Sequence, residues 1–409
     1  MNRDSPSKEL FEFIRTIDNK SIPSIKTILG SYNIETISIE GLFDSLKNLL
    51  ENVLIIDARS EKEFNESSLH YSKNFPVLNN SERHNVGLIY KKYSQSSALW
   101  LAIHYADPKT YELEKFLKAN HADKKKIYVY CWRGGGRSGY LSKMISDIGY
   151  KPIVLKGGHK SFRRSVTEFF SQKIFPFELL ELSGLTGTGK SELLQSVSKD
   201  LPVIDLEYSA KHYSSLLGHI PYEIRNFKPV QNQSAFENDI YSQIYFSSAK
   251  VLSNQQNQPL QPAYIIESES KRVGDFEIPK NLFEKLNLAP SVKIISTFEN
   301  RVKRIVRDYF CDDLRGIEPM KKIFSKKENF FRQQLSNKIY DELIVMLNEN
   351  KVNEFTTVMM EEYYDKKYKD KGKKHIAEIS TDNMTEAKKE LTEIYLKKYD
   401  SNFKESFFQ

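Results

Sequence analysis

Cys131 stands in the stretch Ile127 to Gly139, IYVYCWRGGGRSG. The apolar, β-branched and aromatic run Ile127, Tyr128, Val129 and Tyr130 predicts a buried strand. Cys131 ends it. Gly134, Gly135 and Gly136 follow, and Arg137 closes the loop. Ser138 and Gly139 then lead into helical spacing at Tyr140, Leu141, Met144, Ile145 and Ile148. Three glycines allow a tight turn that aims backbone N–H groups inward. The helix N-terminus and the cations Arg133 and Arg137 add positive potential. Such a nest lowers a thiol pKa and holds an anion beside it. Cys131 therefore reads as a nucleophilic thiolate, with Arg133 and Arg137 as its anion-orienting partners. Two chemistries remain open from these residues: group transfer through a persulfide-like intermediate, or phosphate ester hydrolysis through a phosphocysteine.

A second motif follows downstream. GLTGTGKS, Gly184 to Ser191, fits G-x-x-x-x-G-K-[ST] at every position. It is preceded by a mostly apolar strand, Glu178 to Leu182, interrupted by Glu181, and followed by an amphipathic helix with Leu193, Leu194 and Val197. In this loop, Gly184, Thr186, Gly187, Thr188 and Gly189 wrap a phosphate chain. Lys190 reaches the terminal phosphates and Ser191 holds Mg²⁺. The motif specifies a polyphosphate without specifying a nucleotide or hydrolysis. Strand-like runs at Val203 to Glu207 and Ala263 to Ile266 end in carboxylates: Asp205 and Glu207 in the first, and Glu267 and Glu269 just after the second. Strand-end carboxylates beside a P-loop often serve Mg²⁺ directly or through water, an ordinary solvated strand exit being the alternative, and Glu267 is counted with the loop.

Other charged or aromatic groups point less sharply. Arg301, Lys303, Arg304 and Arg307 line one helical segment, as an anion-binding face or a solvated one. Tyr363, Tyr364 and Tyr368, with Lys366 and Lys367, could stack bases, though surface packing is the commoner meaning of that pattern. His159, His212 and His219 are isolated and read as ordinary polar positions.

Strands must alternate with helices to place these loops, so the fold class is α/β. A parallel-sheet domain over 36–172 carries Cys131. A P-loop NTPase-like α/β domain spans 173–310. Residues 1–35 form an N-terminal extension, and 311–409 a charged, mostly helical C-terminal region. The 409 residues suit two or three domains, and 39% hydrophobic content suits globular cores. No run is long and apolar enough for a membrane span. The polar N-terminus lacks a signal-peptide core, so the cytoplasm is the expected location. Two cysteines, Cys131 and Cys311, make neither a disulfide framework nor a zinc cluster. A net charge of +7 permits a polyanionic partner without requiring one.

The segments VLIIDARSEKEF, NFPVLNNSERHNVGLIYKK, YVYCWRGGGRSG and GYKPIVLKGGHKSFRRSV occur in the order and spacing of a rhodanese domain, which the first half resembles. The Gly-His pair usual after Glu-Phe is Ser67-Ser68 here. The active loop has seven residues rather than the six of common sulfurtransferases, a wider cradle that suits phosphate or a phosphate-like donor. With a P-loop domain directly after it, the chain resembles the tRNA 2-selenouridine synthase family over roughly residues 40 to 370. LSGLTGTGKSELL, VIDLE, PVQNQSAFEN, IIESESKRVGDFEIP, the helix at Arg301 to Tyr309 and EEYYDKKY carry that likeness. Gly136 stands where Met is expected and His159 where Tyr is expected.

The resemblance implies action on tRNA carrying 2-thiouridine at the wobble position. Geranyl diphosphate supplies a geranyl group to the sulfur, and selenium from selenophosphate then displaces the S-geranyl group. On this reading the P-loop, with Mg²⁺, cradles the diphosphate, and Cys131 attacks and carries the selenium. A Cys-dependent phosphatase or sulfurtransferase of rhodanese fold with a P-loop regulatory domain is the alternative, and a non-enzymatic nucleotide-controlled module is a third.

Overall fold

A computed structural model describes residues 8–17, 23–30, 32–47, 52–253, 263–368 and 372–399. The chain divides into two compact units, 1–168 and 169–409.

The first unit is built on five parallel strands: β1 (Glu35–Ile37), β2 (Val53–Asp57), β3 (Ser72–Asn74), β4 (Lys126–Tyr130) and β5 (Pro152–Leu155). Their order across the sheet is β1-β5-β4-β2-β3. β4 lies in the middle, with Ile55 opposite Tyr128 on one side and Val154 opposite Val129 on the other. A central strand of a parallel sheet is covered on both faces, which is why its sequence is nearly all apolar or aromatic. Leu54, Ile56, Ile127 and Val129 pack against Leu141, Met144 and Ile145 of the Gly136–Asp147 helix. At the exit of β2, Asp57 and Arg59 form a fully buried ion pair, and the Arg59 guanidinium also donates to the Ser67 carbonyl at 2.6 Å. The Ser67-Ser68 departure thus supplies a backbone acceptor, a role that any residue can fill.

The first 35 residues are expected to be an extension, yet those that are described pack into this unit. Ile14, on the Lys8–Arg15 helix, is fully buried with Ile89, Ala98 and Leu101. Ile25 and Ile28, from the Ile25–Gly30 helix, lie against the main core. Amphipathic spacing drives this: an apolar stripe on a short helix is stable only when another surface covers it.

The second unit holds β6 (Glu178–Ser183), β7 (Val203–Ile204), β8 (Ala263–Glu267), β11 (Ser291–Ile295) and β12 (His375–Ser380), in the order β12-β11-β6-β8-β7 and all parallel. β9 (Arg272–Val273) and β10 (Phe276–Glu277) make a small antiparallel pair. The helical C-terminal region is not purely helical. Its β12 joins the sheet beside β11, and the Met384–Tyr399 helix returns to the sheet, where the Tyr395 and Tyr399 hydroxyls donate to the carbonyls of Ala263 and Leu179. Glu181, the charge that interrupts β6, pairs at 2.7 Å with Lys373, just before β12. Between β11 and β12 a helical layer forms a second core around Phe310, Phe324, Phe331, Leu343 and Phe355. Among the described residues no helix is long and apolar enough to cross a membrane.

Candidate active sites

In the first unit, Cys131 leaves the C-terminal end of β4 and is buried, 4% exposed. The loop after it is pinned from behind. Gly134 has φ +67°, and a Cβ there would lie 2.6 Å from the Leu155 carbonyl oxygen. Gly158, φ +58°, would put a Cβ 2.2 Å from the Cys131 carbonyl oxygen. Two glycines from different strand exits therefore allow two backbones to touch. The His159 and Lys160 N–H groups, in the first turn of the Gly158–Phe170 helix, donate to the carbonyls of Cys131 and Trp132 at 2.8 and 2.9 Å. Gly135 and Gly136 face open space, with nothing within 4 Å of a Cβ at either position.

The electrostatics around the thiol favour its ionised form. Burial pushes the Cys131 thiol up. The Ser138 hydroxyl at 3.2 Å, the Arg137 charge, and the backbone N–H groups of Ser138 and Arg133 together outweigh that and hold it below its usual value. Ser138 has one proton. It can donate to the Gly135 carbonyl while the thiol is neutral and swing to the sulfur when the thiol ionises. Arg137 is held by a two-pronged contact with Glu63 at 2.5 and 3.2 Å, and Glu63 also takes Arg83 at 2.9 Å. Burial pushes the Glu63 carboxyl up, but Arg137 and Arg83 bring it below the ordinary range. Arg133 differs from the expectation in detail: its side chain is exposed, and its contribution at the sulfur comes through its backbone. Glu63 and Ser138 were not singled out by sequence. Glu63 sits in an ordinary polar helix start, and only the fold brings it across to Arg137. His159 is buried, with its ring stacked against those of Tyr130 and Trp132. Burial, with Arg59 and Arg163 nearby, lowers its pKa to about 3, so it remains a neutral ring.

In the second unit the P-loop joins β6 to the Lys190–Val197 helix. Gly184, Gly187 and Gly189 all have φ between +79° and +148°, as the motif requires. A Cβ on Gly184 would lie 2.3 Å from the Ile294 carbonyl oxygen of β11. Thr188 is buried and its hydroxyl closes the loop on the Leu185 carbonyl at 2.9 Å. The Lys190 ammonium folds onto the loop's own carbonyls, Gly184 at 2.9 Å and Leu185 at 3.2 Å.

Ser191 meets two carboxylates, Glu207 at 2.7 Å and Glu267 at 2.8 Å. Its hydroxyl has one proton, so it cannot donate to both. Burial pushes both carboxyls up, and Glu267 is raised further by its acidic neighbours Glu207, Asp205 and Glu269. The second Glu267 oxygen is buried with no hydrogen-bond partner. Glu269 joins them: one oxygen from each of Glu207, Glu267 and Glu269 falls within 4.8 Å of the others. An excess of buried anionic oxygens, one of them unpartnered, is what a hard divalent cation satisfies. These three glutamates and Ser191 are the residues that could hold one. Asp205 is near but differently used. β7 stops at Ile204, earlier than the expected strand, because Asp205 caps the Leu206–Ala210 helix through the Tyr208 N–H at 2.7 Å. Burial raises its pKa to about 6.

The expected cationic face on the Phe298–Phe310 helix turns out to be mixed. Arg301 is buried; it donates to the Thr186 carbonyl at 2.9 Å and grips Asp365 with two bonds at 2.5 and 3.0 Å. Arg304 reaches the Thr381 carbonyl and the Ser296 hydroxyl, and pairs with Glu192. These two brace the P-loop. Lys303 and Arg307 pair with Glu299, and with Glu192 and Asp308, on the surface. Tyr363 is packed in the helical core, with Lys367 over its ring at 4.2 Å.

Comparisons with known proteins agree across both units. A family model described as the tRNA 2-selenouridine synthase AAA domain matches residues 177–400, and one described as a rhodanese-like domain matches residues 42–165. A protein from Nitrosomonas europaea named tRNA 2-selenouridine synthase is 29% identical over 271 residues, 66% of this chain and 66% of that protein. One of the same name from Pseudomonas entomophila is 29% identical over 302 residues, 72% of this chain and 75% of that one. A third, from Marinobacter nauticus, is 30% identical over 268 residues, 65% of this chain and 68% of that one. The chain thus spans about two thirds to three quarters of the length of these relatives.

Proposed function

The chain belongs to the tRNA 2-selenouridine synthase family of tRNA-modifying enzymes, and from that premise we propose that it converts wobble 2-thiouridine in tRNA to 2-selenouridine in two steps, one at each loop. The observation that carries this reading is the presence in one chain of two phosphate-type cradles with opposite charge character. One surrounds a stabilised thiolate, and the other brings a P-loop lysine beside a three-glutamate cluster.

In the first step the base sulfur attacks C1 of geranyl diphosphate. The C1–O bond breaks, pyrophosphate leaves with the electron pair, and the base gives up its N3 proton. The P-loop N–H groups and Lys190 hold the diphosphate and take up the leaving charge. Glu207, Glu267, Glu269 and Ser191 would hold Mg²⁺, which when bound supplies positive charge to the leaving group. In the second step the Cys131 thiolate attacks the phosphorus of selenophosphate held in its loop, with Arg137 on the phosphate; the S–P bond forms as the P–Se bond breaks, and selenium leaves with the electron pair. The released selenide adds to C2 of the ring, geranyl thiolate departs and takes up a proton, and water cuts the S–P bond to give phosphate and the free thiol. The partners are tRNA and a source of selenophosphate, and the site of action is the cytoplasm.

The test is nucleoside mass spectrometry of 2-thiouridine tRNA incubated with protein, Mg²⁺ and geranyl diphosphate, with and without selenophosphate. Cys131→Ser is expected to accumulate geranylated base and lose the selenium product by a factor of about 10³ or more. Lys190→Ala is expected to lose geranylation by about 10²–10³-fold. Full 2-selenouridine formation by Cys131→Ser would refute the role given to the thiol. Unchanged tRNA together with turnover of an aryl phosphate would mark the protein as a phosphatase.

A further inference from the structure

Trp132 follows Cys131 directly, yet it stands 41% exposed next to a thiol that is buried. Its ring lies at 24° to that of His159, with centroids 5.5 Å apart, and the His159 ring lies at 22° to that of Tyr130. Three flat rings thus run outward, from Tyr130 and His159 in the interior to Trp132 at the surface. One face of the indole rests on His159, and among the described residues no other ring covers it. The backbone beneath it is fixed, since the Lys160 N–H donates to the Trp132 carbonyl at 2.9 Å. Arg133 and Lys160 flank this anchor and are exposed, as is Arg164, one turn beyond Lys160 on the Gly158–Phe170 helix. Among the described residues none of these three cations pairs with a carboxylate. We propose that Trp132 is the stacking platform for the tRNA base that reacts at the Cys131 loop, with Arg133, Lys160 and Arg164 on the phosphates that flank it. The inference rests on the reading above that this loop delivers selenium to a wobble base, and it deepens that reading by assigning the residue that holds the base.

A single exposed apolar side chain is ordinary on a protein surface. This one is set apart because a second ring backs it, a backbone hydrogen bond anchors it, and the nucleophile precedes it in the chain. A fixed π-face bordered by cations suits single-stranded nucleic acid: a base stacks on the ring while the charges take its phosphates. An acidic protein surface would answer the cations but leave the flat indole unused. The anticodon loop of a tRNA answers both, because its bases are unpaired and can be splayed out. His159 serves as a plain support: burial, with Arg59 and Arg163 nearby, keeps its ring uncharged, with a pKa of about 3. A tyrosine at position 159, the residue expected from the family likeness, would offer the indole a ring in the same way. The chemistry requires such a platform, because selenide released at the Cys131 loop must meet C2 of the base before it is lost to water. Gly135 and Gly136, with nothing within 4 Å of a Cβ at either, leave the rim of that loop open.

The chain has two tryptophans, Trp100 and Trp132, so Trp100→Phe in the full chain leaves Trp132 as the sole indole reporter. Titration with an anticodon stem-loop RNA carrying wobble 2-thiouridine is expected to quench its emission saturably. Trp132→Ala is expected to weaken stem-loop binding, and to raise KM for geranylated tRNA in the selenium step, by about ten- to a hundredfold. Its kcat at saturating tRNA should stay within about threefold, as expected where uniform binding is lost. Trp132→Phe, which keeps a π-face, should recover most of the affinity, whereas Trp132→Leu, which keeps apolar bulk without one, should not. Lys160→Gln and Arg164→Gln should each lower the slope of log affinity against log salt by about 0.7. Stem-loop binding that leaves the Trp132 emission unchanged overturns the proposal, as does wild-type affinity in Trp132→Leu or a Trp132→Phe as weak as Trp132→Ala. An unchanged salt slope overturns the phosphate contacts given to the two cations. Quenching of Trp132 by the stem-loop, with no 2-selenouridine formed by the wild-type chain, would uphold the platform and overturn the selenium transfer instead.

Discussion

Both glycine-rich loops follow a buried parallel strand and open into a helix, Cys131 to Gly136 in one unit and Gly184 to Lys190 in the other. Their charge arrangements run in opposite directions. At Cys131 an anion is prepared in advance: Arg137 is already fixed by Glu63, Ser138 is in reach, and the thiol lies below its usual pKa. At the P-loop the anions outnumber what answers them. Glu207 and Glu267 are both pushed up by burial, and Lys190 turns to its own loop's carbonyls. On the proposed function, the first loop is prepared as a nucleophile, and the second would reconcile its buried charges when a cation and a polyphosphate enter.

That contrast breaks most sharply at Glu267. A carboxyl whose pKa is raised in the fold binds protons that the unfolded chain releases, so its contribution to stability is present at low pH and falls as pH rises through the raised value. The metal-free protein is therefore expected to lose thermal stability from mildly acidic to alkaline pH, and Mg²⁺ to restore it increasingly as pH rises. Asp205, raised to about 6, adds its share between its ordinary pKa and about pH 6. Glu267→Gln should abolish most of the Mg²⁺-dependent rise in melting temperature and slow the P-loop step by about 10²-fold. A melting curve that ignores both Mg²⁺ and pH would show that the glutamates are not a cation site.

Ser138→Ala sharpens the comparison from the other side. A hydrogen bond to a charged group is worth about 1.5–3 kcal/mol, which converts to roughly one to two units of thiol pKa. Iodoacetamide alkylation of Cys131 at neutral pH is expected to slow by about tenfold, with the full rate recovered at alkaline pH. An unchanged pH profile would shift the credit to Arg137 and the backbone. The smallest effect is expected at Gly136. Nothing lies within 4 Å of a Cβ there, so Gly136→Met should change stability by no more than about 0.5 kcal/mol in a denaturant titration.

Much of this was legible in the sequence, for identifiable reasons. The two loops announce themselves because their chemistry is local: glycine, cation and nucleophile follow one another within seven or eight residues. Partners that come from far along the chain leave no local trace. Glu63 reads as a polar helix start until β2 and β4 are placed side by side. Arg301 reads as part of a charged face until Thr186 and Asp365 close around it. Glu181 looks out of place in an apolar strand until Lys373 arrives. The short β7 was overrun for a different reason: Val203 to Glu207 has strand-like spacing, but the capping preference of Asp205 takes over after two residues.

The position of β12 has a consequence for how the protein is made. The cysteine unit is complete by residue 168, early in synthesis, and its sheet closes with residues already delivered. The second sheet gains its outer strand only when His375–Ser380 reaches β11, after the intervening helical layer has emerged. Until then β11 presents an open parallel edge, the kind of surface that recruits wrong partners. A nascent chain that stalls or is cut between the two strands would hold a complete cysteine unit and an unfinished P-loop unit.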